Sequence, residues 1–264
     1  MITSLSNPRM KRIIQLQKKA RARREEGRFV VEGLKMVMEA PKDRLAEIYV
    51  SRSFMENHPS YKAPEGCPWE QVDDKVFKGL SDTQTPQGIL AVVRQTRWDW
   101  TRVLHKPSPL LLLLESLQDP GNMGTILRTG EGAGVDGILM NRTCVDLYQP
   151  KVVRSTMGSI YRVPTAVVDH PEEAAALMRE KGIRVYAAHL SGTCSYYEKD
   201  YRGGCSFLIG NEAAGLSDSL AKMATDRVKI PMKGKVESLN AGVAASLLMY
   251  EARRQRETEA IEHV

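Results

Sequence analysis

The sequence predicts an α/β protein in two parts: a small α/β domain over residues 1–95 and a larger α/β domain built on a parallel sheet over residues 110–264, joined by a linker at 96–109. Three observations predict it. Short apolar runs alternate with stretches of helical period along the chain, the pattern of strands laid against helices. In the second part those runs are continuously apolar rather than alternating, as strands covered on both faces require. Between the parts, residues 95–109 show no period and carry Pro107 and Pro109, which marks a connection. With 264 residues, 42% of them hydrophobic and 27% charged, the chain can bury one large or two ordinary cores.

The elements follow in order. Residues 8–26 have the spacing of one helix, with Met10, Ile13, Ile14, Leu16 and Ala20 on one face and Lys11, Arg12, Lys18, Lys19 and Arg23 opposite. A strand at 29–31, a helix at 33–40, a strand at 47–50, a helix at 73–80 and a strand at 88–93, behind the turn-rich 81–86, complete the first domain. In the second, strands are expected at 110–114, 137–140, 184–188, 206–209 and 227–230. Helices are expected between them at 123–132, 171–181, 216–223 and 239–255.

Charge is unevenly spread. The formal net is +6, but residues 1–30 hold nine basic and two acidic side chains, a net of +7, which leaves the remainder at about −1. A solvated helix face is the ordinary meaning of such charge; an excess of one sign favours a phosphate-bearing polymer or an anionic membrane surface. The basic helix has no Trp or Phe on its apolar face, which makes membrane attachment the weaker reading. The longest apolar run, Leu110–Leu114, is far too short to cross a bilayer, and no secretory signal is expected at the N-terminus. Cys67, Cys144, Cys194 and Cys205 are scattered with no C-x-x-C pair, so neither a metal site nor a disulfide framework is expected, and a reducing cytoplasm is.

One motif is a decoy. Gly132-Ala-Gly-Val-Asp-Gly137 has the spacing of a dinucleotide fingerprint, but here a helix precedes it and a strand follows, the reverse of what phosphate binding needs. A helix C-cap and a tight turn are expected instead. No phosphate-binding loop of the G-x-x-x-x-G-K-[ST] type occurs.

Three polar segments follow strands, where α/β sheets carry ligands. In the first, from Glu115 to Arg128, Asn122 is a candidate N-cap and Arg128 lies within the helix. In the second, from Phe207 to Leu216, a strand runs into Gly210, where backbone is open to close approach, and Glu212 is a candidate base, charge partner or helix-start carboxylate. In the third, from Ile230 to Ser246, Ser238 is a candidate N-cap before a helix rich in Ala, Gly and Ser.

Together, N-x-G-x-x-x-R (Asn122, Gly124, Arg128), I-G-N-E-x-x-G-L (Ile209 to Leu216) and I-P-M-x-G-x-x-E-S-L-N (Ile230 to Asn240) resemble the SpoU/TrmH family of RNA ribose 2′-O-methyltransferases, in the SPOUT superfamily. Residues 7–33 resemble the substrate-binding domain of the subset that acts on ribosomal RNA. The resemblance implies a C-terminal SPOUT domain with a deep trefoil knot, an S-adenosylmethionine site matching Leu208, Gly210, Ile230, Met232 and Leu239, and a homodimer. It also implies catalytic positions at Asn122, Arg128, Glu212, Ser238 and Asn240. Lys11, Arg12, Lys18, Lys19 and Arg23 are the expected RNA-gripping residues. Methylation of 23S ribosomal RNA is the main expectation; a tRNA methyltransferase and a non-catalytic ribosome-assembly protein of the same fold are the alternatives.

The chemistry constrains these roles. A ribose hydroxyl is a poor nucleophile, so its proton must be removed or polarised while oxygen, methyl and sulfur are held in line. The family assigns proton abstraction to the Arg128 position. A guanidinium stays protonated, so stabilising the developing oxyanion while a phosphate takes the proton is the reading preferred here.

Overall fold

The structure is a computed structural model that describes residues 1–262; residues 263–264 of the expected second domain lie outside the described residues. In chain order the elements are α1 (Pro8–Lys18), α2 (Ala20–Glu26), β1 (Arg28–Glu32), α3 (Leu34–Glu39), β2 (Leu45–Ser51), α4 (Arg52–Asn57), β3 (Trp69–Val72), α5 (Asp74–Leu80) and β4 (Ile89–Arg94). There follow β5 (Leu110–Leu114), α6 (Pro120–Ala133), β6 (Gly137–Asn141), α7 (Pro150–Ser155), β7 (Thr165–Val168), α8 (Pro171–Glu180), β8 (Arg184–Ala188) and β9 (Cys194–Ser195). The chain continues through β10 (Cys205–Ile209), α9 (Asp218–Lys222), β11 (Asp226–Lys229) and α10 (Ala241–Glu262). By packing it divides into two units: residues 1–96 with 146–161, and residues 97–145 with the chain from 162 onward.

In the first unit a four-stranded sheet runs in the order β1-β4-β2-β3, antiparallel except for the β2–β3 pair. Met10, Ile13 and Leu16 of α1 and Val76, Phe77 and Leu80 of α5 bury against Val30, Tyr49 and Leu90 of the sheet. On β1 the alternate residue Phe29 meets Tyr148, from the 146–161 segment, at a ring separation of 4.6 Å. The single helix expected at 8–26 is broken at Lys19, which is extended (φ −120°, ψ 115°). The buried Arg23 guanidinium explains the break, because it donates to the Leu16 and Gln17 carbonyl oxygens at the end of α1.

The second unit holds a seven-stranded sheet in the order β7-β6-β5-β10-β8-β11-β9, parallel throughout. Its central strands β5 and β10 are buried at every residue. The five leucines of β5 each contribute about 1.5–3 kcal/mol on burial, which accounts for their place at the centre. From β5 the chain builds outward through β6 and β7, then returns to the other side through β8 and β10, so the order reverses between β5 and β10. Residues 100–105, within the stretch expected as a linker, form a short 3-10 helix whose Val103 and Leu104 are buried in this second core. Gly134 caps α6 in the left-handed conformation (φ 76°), the turn that the reversed glycine motif predicts.

Candidate active site

Loops that leave the carboxyl ends of β5 and β10 meet at the point of strand reversal, the position where open α/β sheets take ligands. Hydrogen bonds lock them together. Glu115, only 8% exposed, accepts from the Ser217 amide and hydroxyl, both at 2.7 Å. Asn211 Nδ2 donates to the Ser116 carbonyl at 2.8 Å. The Glu212 carboxylate accepts from the Gln118 amide (3.0 Å), the Asp119 amide (2.9 Å) and Asn122 Nδ2 (2.9 Å). Burial alone would raise the Glu212 carboxyl; the Asn122 side chain and those amides more than offset it and hold it below the usual range. A carboxylate so held is an anchor and a poor proton acceptor, which rules against the general-base alternative.

Asn122 is not the N-cap of α6. Asp119 is, and its Oδ1 accepts the Asn122 amide at 2.8 Å, which leaves the buried Asn122 side chain for Glu212. Ser238 likewise caps nothing. α10 begins at Ala241 with Asn240 before it, whose Oδ1 accepts the Val243 amide at 3.2 Å. Sequence spacing placed both caps near the right turn but on the wrong residue, since Asp, Ser and Asn compete equally for that role.

The requirement at Gly210 also has an internal origin. A Cβ there would overlap the Gly215 carbonyl carbon and the Leu216 nitrogen, because the 211–215 loop closes through mutual Asn211 and Gly215 amide-to-carbonyl bonds at 2.9 Å. It is the chain itself that makes the close approach. Leu208 is fully buried among core residues, so its side chain is packing and only its main chain can face a ligand.

Arg128 is exposed on α6 and, among the described residues, has no hydrogen-bond or ion-pair partner. It lies three residues after Thr125 and four before Gly132, beside the ridge that packs on α10, since i+3 and i+4 positions are neighbours on a helix. Across that contact, a Cβ on Gly242 would meet both the Thr125 side chain and Asn240 Oδ1 at 3.2 Å, and Ser246 Oγ donates to Thr129 at 3.2 Å. The start of α10, with Asn240, is thus brought against the turn of α6 next to Arg128. Ile230, Met232, Ser238 and Leu239 belong to the loop after β11; among the described residues, none hydrogen-bonds to residues 231–239. Burial pushes the nearby Cys144 thiol up to about 11, so it is a neutral packing group.

In the first unit the five expected RNA-gripping residues divide. Lys11, Lys18 and Lys19 are exposed and unpartnered among the described residues. Arg12 pairs with Glu26 (2.7 Å) and Glu47 (2.6 Å). Arg23 is 4% exposed and, besides the two carbonyls, pairs with Asp146 at 2.6 Å. Arg23 is therefore a structural cation and not a surface contact; helical period put it on the polar face because it could not register the break at Lys19.

A parallel sheet whose loops are cross-bonded at its switch point places a ligand site there, with the unpartnered Arg128 on the helix that follows β5. Comparison with known proteins gives the class. Residues 109–250 match the SpoU rRNA Methylase family, and residues 7–91 match the MRM3-like substrate binding domain. The chain belongs to the SpoU family and is an S-adenosylmethionine-dependent RNA methyltransferase. It is 30% identical to the 23S rRNA (guanosine(2553)-2′-O)-methyltransferase RlmP of Bacillus subtilis, over 96% of this chain and 98% of that one. The AdoMet-bound rRNA methyltransferase of Sinorhizobium meliloti superposes with a TM-score of 0.84 at 31% identity, covering 96% of this chain and 97% of that one. The AdoMet complex of the SpoU methyltransferase AviRb from Streptomyces viridochromogenes does so with a TM-score of 0.84 at 27% identity, covering 96% and 99%.

Sequence reasoning missed Glu115, Ser116, Asp119, Asn211 and Ser217. One signal was available: an acid directly after five leucines, at Glu115, places a carboxylate where the core ends. Ser116 carries none, although it is left-handed (φ 54°) with its amide donating to Asn141 Oδ1 at 2.9 Å.

Proposed function

We propose that this protein methylates the 2′-hydroxyl of a ribose in large-subunit ribosomal RNA. The observation that carries the reading is Arg128: an unpartnered, exposed cation beside a rigid pair of loops and the start of α10. The residues present fit the cofactor. The main-chain groups of 231–239 are uncommitted among the described residues, in an exposed segment flanked by the half-buried Ile230 and Leu239, which leaves them available to a ligand held through backbone. When bound, S-adenosylmethionine supplies an electrophilic methyl group. Arg128 stabilises negative charge as it develops on the ribose oxygen, and an RNA phosphate takes the proton. Asn122 and Glu212 act as positioning residues by fixing the 115–122 loop, while Ser238 and Asn240 orient ribose and cofactor.

Ribosomal RNA is favoured over tRNA because the first unit matches a substrate-binding domain, and the 23S-specific relative aligns along nearly the whole chain. Lys11, Lys18 and Lys19 supply its electrostatic grip. Homodimer formation is supported by Val243, Leu247 and Tyr250, apolar residues exposed at helical spacing along α10. Four free cysteines, and no helix among the described residues long and apolar enough to cross a membrane, support a cytoplasmic site.

The test is methyl transfer to ribosomal RNA with mapping of 2′-O-methyl positions. Arg128→Ala is expected to lower kcat by roughly 10²–10³, with cofactor affinity by calorimetry unchanged. No transfer to any ribosomal RNA, with cofactor bound, would overturn the substrate.

A further inference from the structure

The first unit contains a cavity of about 330 Å³ between α1 and the strands β2 and β3. Arg9, Arg12, Arg28 and Arg94 line it together with Glu47, and Trp69 stands at its rim, half exposed. Its volume falls in the usual range for small-ligand sites. Trp69 opens the edge strand β3 and, besides being half exposed, lines this cavity, so its indole is within reach of whatever enters.

The polar groups divide into committed and free. Arg12 is held between Glu26 and Glu47, and Tyr49 donates to Glu47 at 2.5 Å, which gives the cavity a fixed carboxylate floor. Arg9 meets Glu70 through one nitrogen at 2.6 Å, Arg28 approaches Glu47 only to 3.6 Å, and Arg94 spends one N–H on the Asp43 carbonyl at 2.9 Å. A guanidinium has five N–H donors, so these three retain donors aimed at nothing else. Four arginines against Glu47 and Glu70 leave the lining at +2. A bare phosphate would engage the arginines but leave the indole face and the two carboxylates unused. A ligand with an anionic end, a flat face and donor groups on its edge satisfies all of them, and an unpaired nucleotide has these features.

We propose that this cavity receives one unpaired nucleotide of the RNA substrate, its base stacked on Trp69 and its phosphates met by Arg9, Arg28 and Arg94. The proposal rests on the reading of the chain as an RNA methyltransferase, and adds that the first unit selects its target by a splayed-out base as well as by charge. It places recognition on the Trp69 side of α1, apart from the outer lysines.

The test uses the full-length protein and a fluorescent single-stranded oligoribonucleotide, with affinity followed by anisotropy over a range of salt. Trp69→Ala is expected to weaken binding about tenfold or more without changing the salt slope, because stacking releases no counterions. Trp69→Phe should restore most of the loss. Arg9→Gln should reduce the slope by up to about 0.7, the share of one phosphate contact on single strands. An unfolding curve that overlays wild type checks that the first unit is folded in all three variants, and cofactor affinity is expected unchanged. If Trp69→Ala binds as wild type while the lysine variants of α1 do not, the pocket is wrong and the methyltransferase reading stands. If the wild-type protein binds no oligoribonucleotide, the pocket is overturned, while the methyltransferase reading stands or falls on methyl transfer to ribosomal RNA.

Discussion

Two sides of the candidate site are built in opposite ways. On the β5/β10 side, Glu115, Asn211, Glu212 and Asn122 spend their side chains on one another's loops. On the β11 side, residues 231–238 are all exposed, and among the described residues nothing hydrogen-bonds to them. Polar residues of the same types therefore do different work on each side. Where they are saturated they hold geometry, and where they are free they are available to a ligand. The contrast predicts that substitutions on the first side unfold or loosen the protein, whereas those within 231–238 alter function and leave stability alone, up to Asn240, where α10 is capped.

The largest effect is expected at Gly210. Its Cβ would overlap main-chain atoms of Gly215 and Leu216, which cannot yield as a flexible side chain can. Gly210→Ala should cost about 3 kcal/mol or more, read as a lowered denaturant midpoint. A midpoint within error of wild type would show that the 211–215 loop is pliable and that the two sides do not differ in rigidity.

Next comes Glu212. Glu212→Ala leaves Asn122 Nδ2 and the Gln118 and Asp119 amides without their acceptor, a loss of about 1–2 kcal/mol because Glu212 is exposed and water can reach the two loop amides. The same contact predicts a pH limb. The folded carboxyl lies below its ordinary value, so its contribution is fully present above that value and is lost as pH falls through the folded one. Wild type should lose more stability than Glu212→Gln as the pH is taken below about 4.3, the unfolded value. Parallel pH curves for the two proteins would remove Glu212 from the lock.

How much of this was legible varies with burial. β5 and β10 could be read to within a residue because both lie fully inside, where sequence is constrained to apolar runs. Two edge strands, β3 and β7, went unpredicted for the converse reason, whereas the edge strand β1, buried over Phe29–Val31, was found. β3 buries only Val72 and β7 only Val168, so β3 has no apolar pattern and the short Ala166–Val168 run of β7 is too brief to mark a strand. Period alone also treats every polar residue on a helix face alike. It grouped Arg23 with Lys18 and Lys19, although Arg23 is buried against the carbonyl end of α1 and Asp146. The candidate catalytic positions came from motif resemblance, and what the motifs could not convey is which side chains are spent. Glu212 is, and Arg128 is not.

The smallest effects separate Ser238 from Asn240, two residues apart on the open side. Asn240 caps α10 through the Val243 amide, so Asn240→Ala should cost about 1 kcal/mol, the usual value of a lost cap. Ser238 is exposed and supports no helix end, so Ser238→Ala should change stability by no more than about 0.5 kcal/mol. If Ser238 orients the ribose or the cofactor, that variant still loses methyl transfer while its unfolding curve overlays wild type. An equal loss of stability in the two variants would mean that the helix starts at Ser238 in solution. The β11 loop would then share the held character of its neighbours, and the distinction between a built side and an open one would disappear.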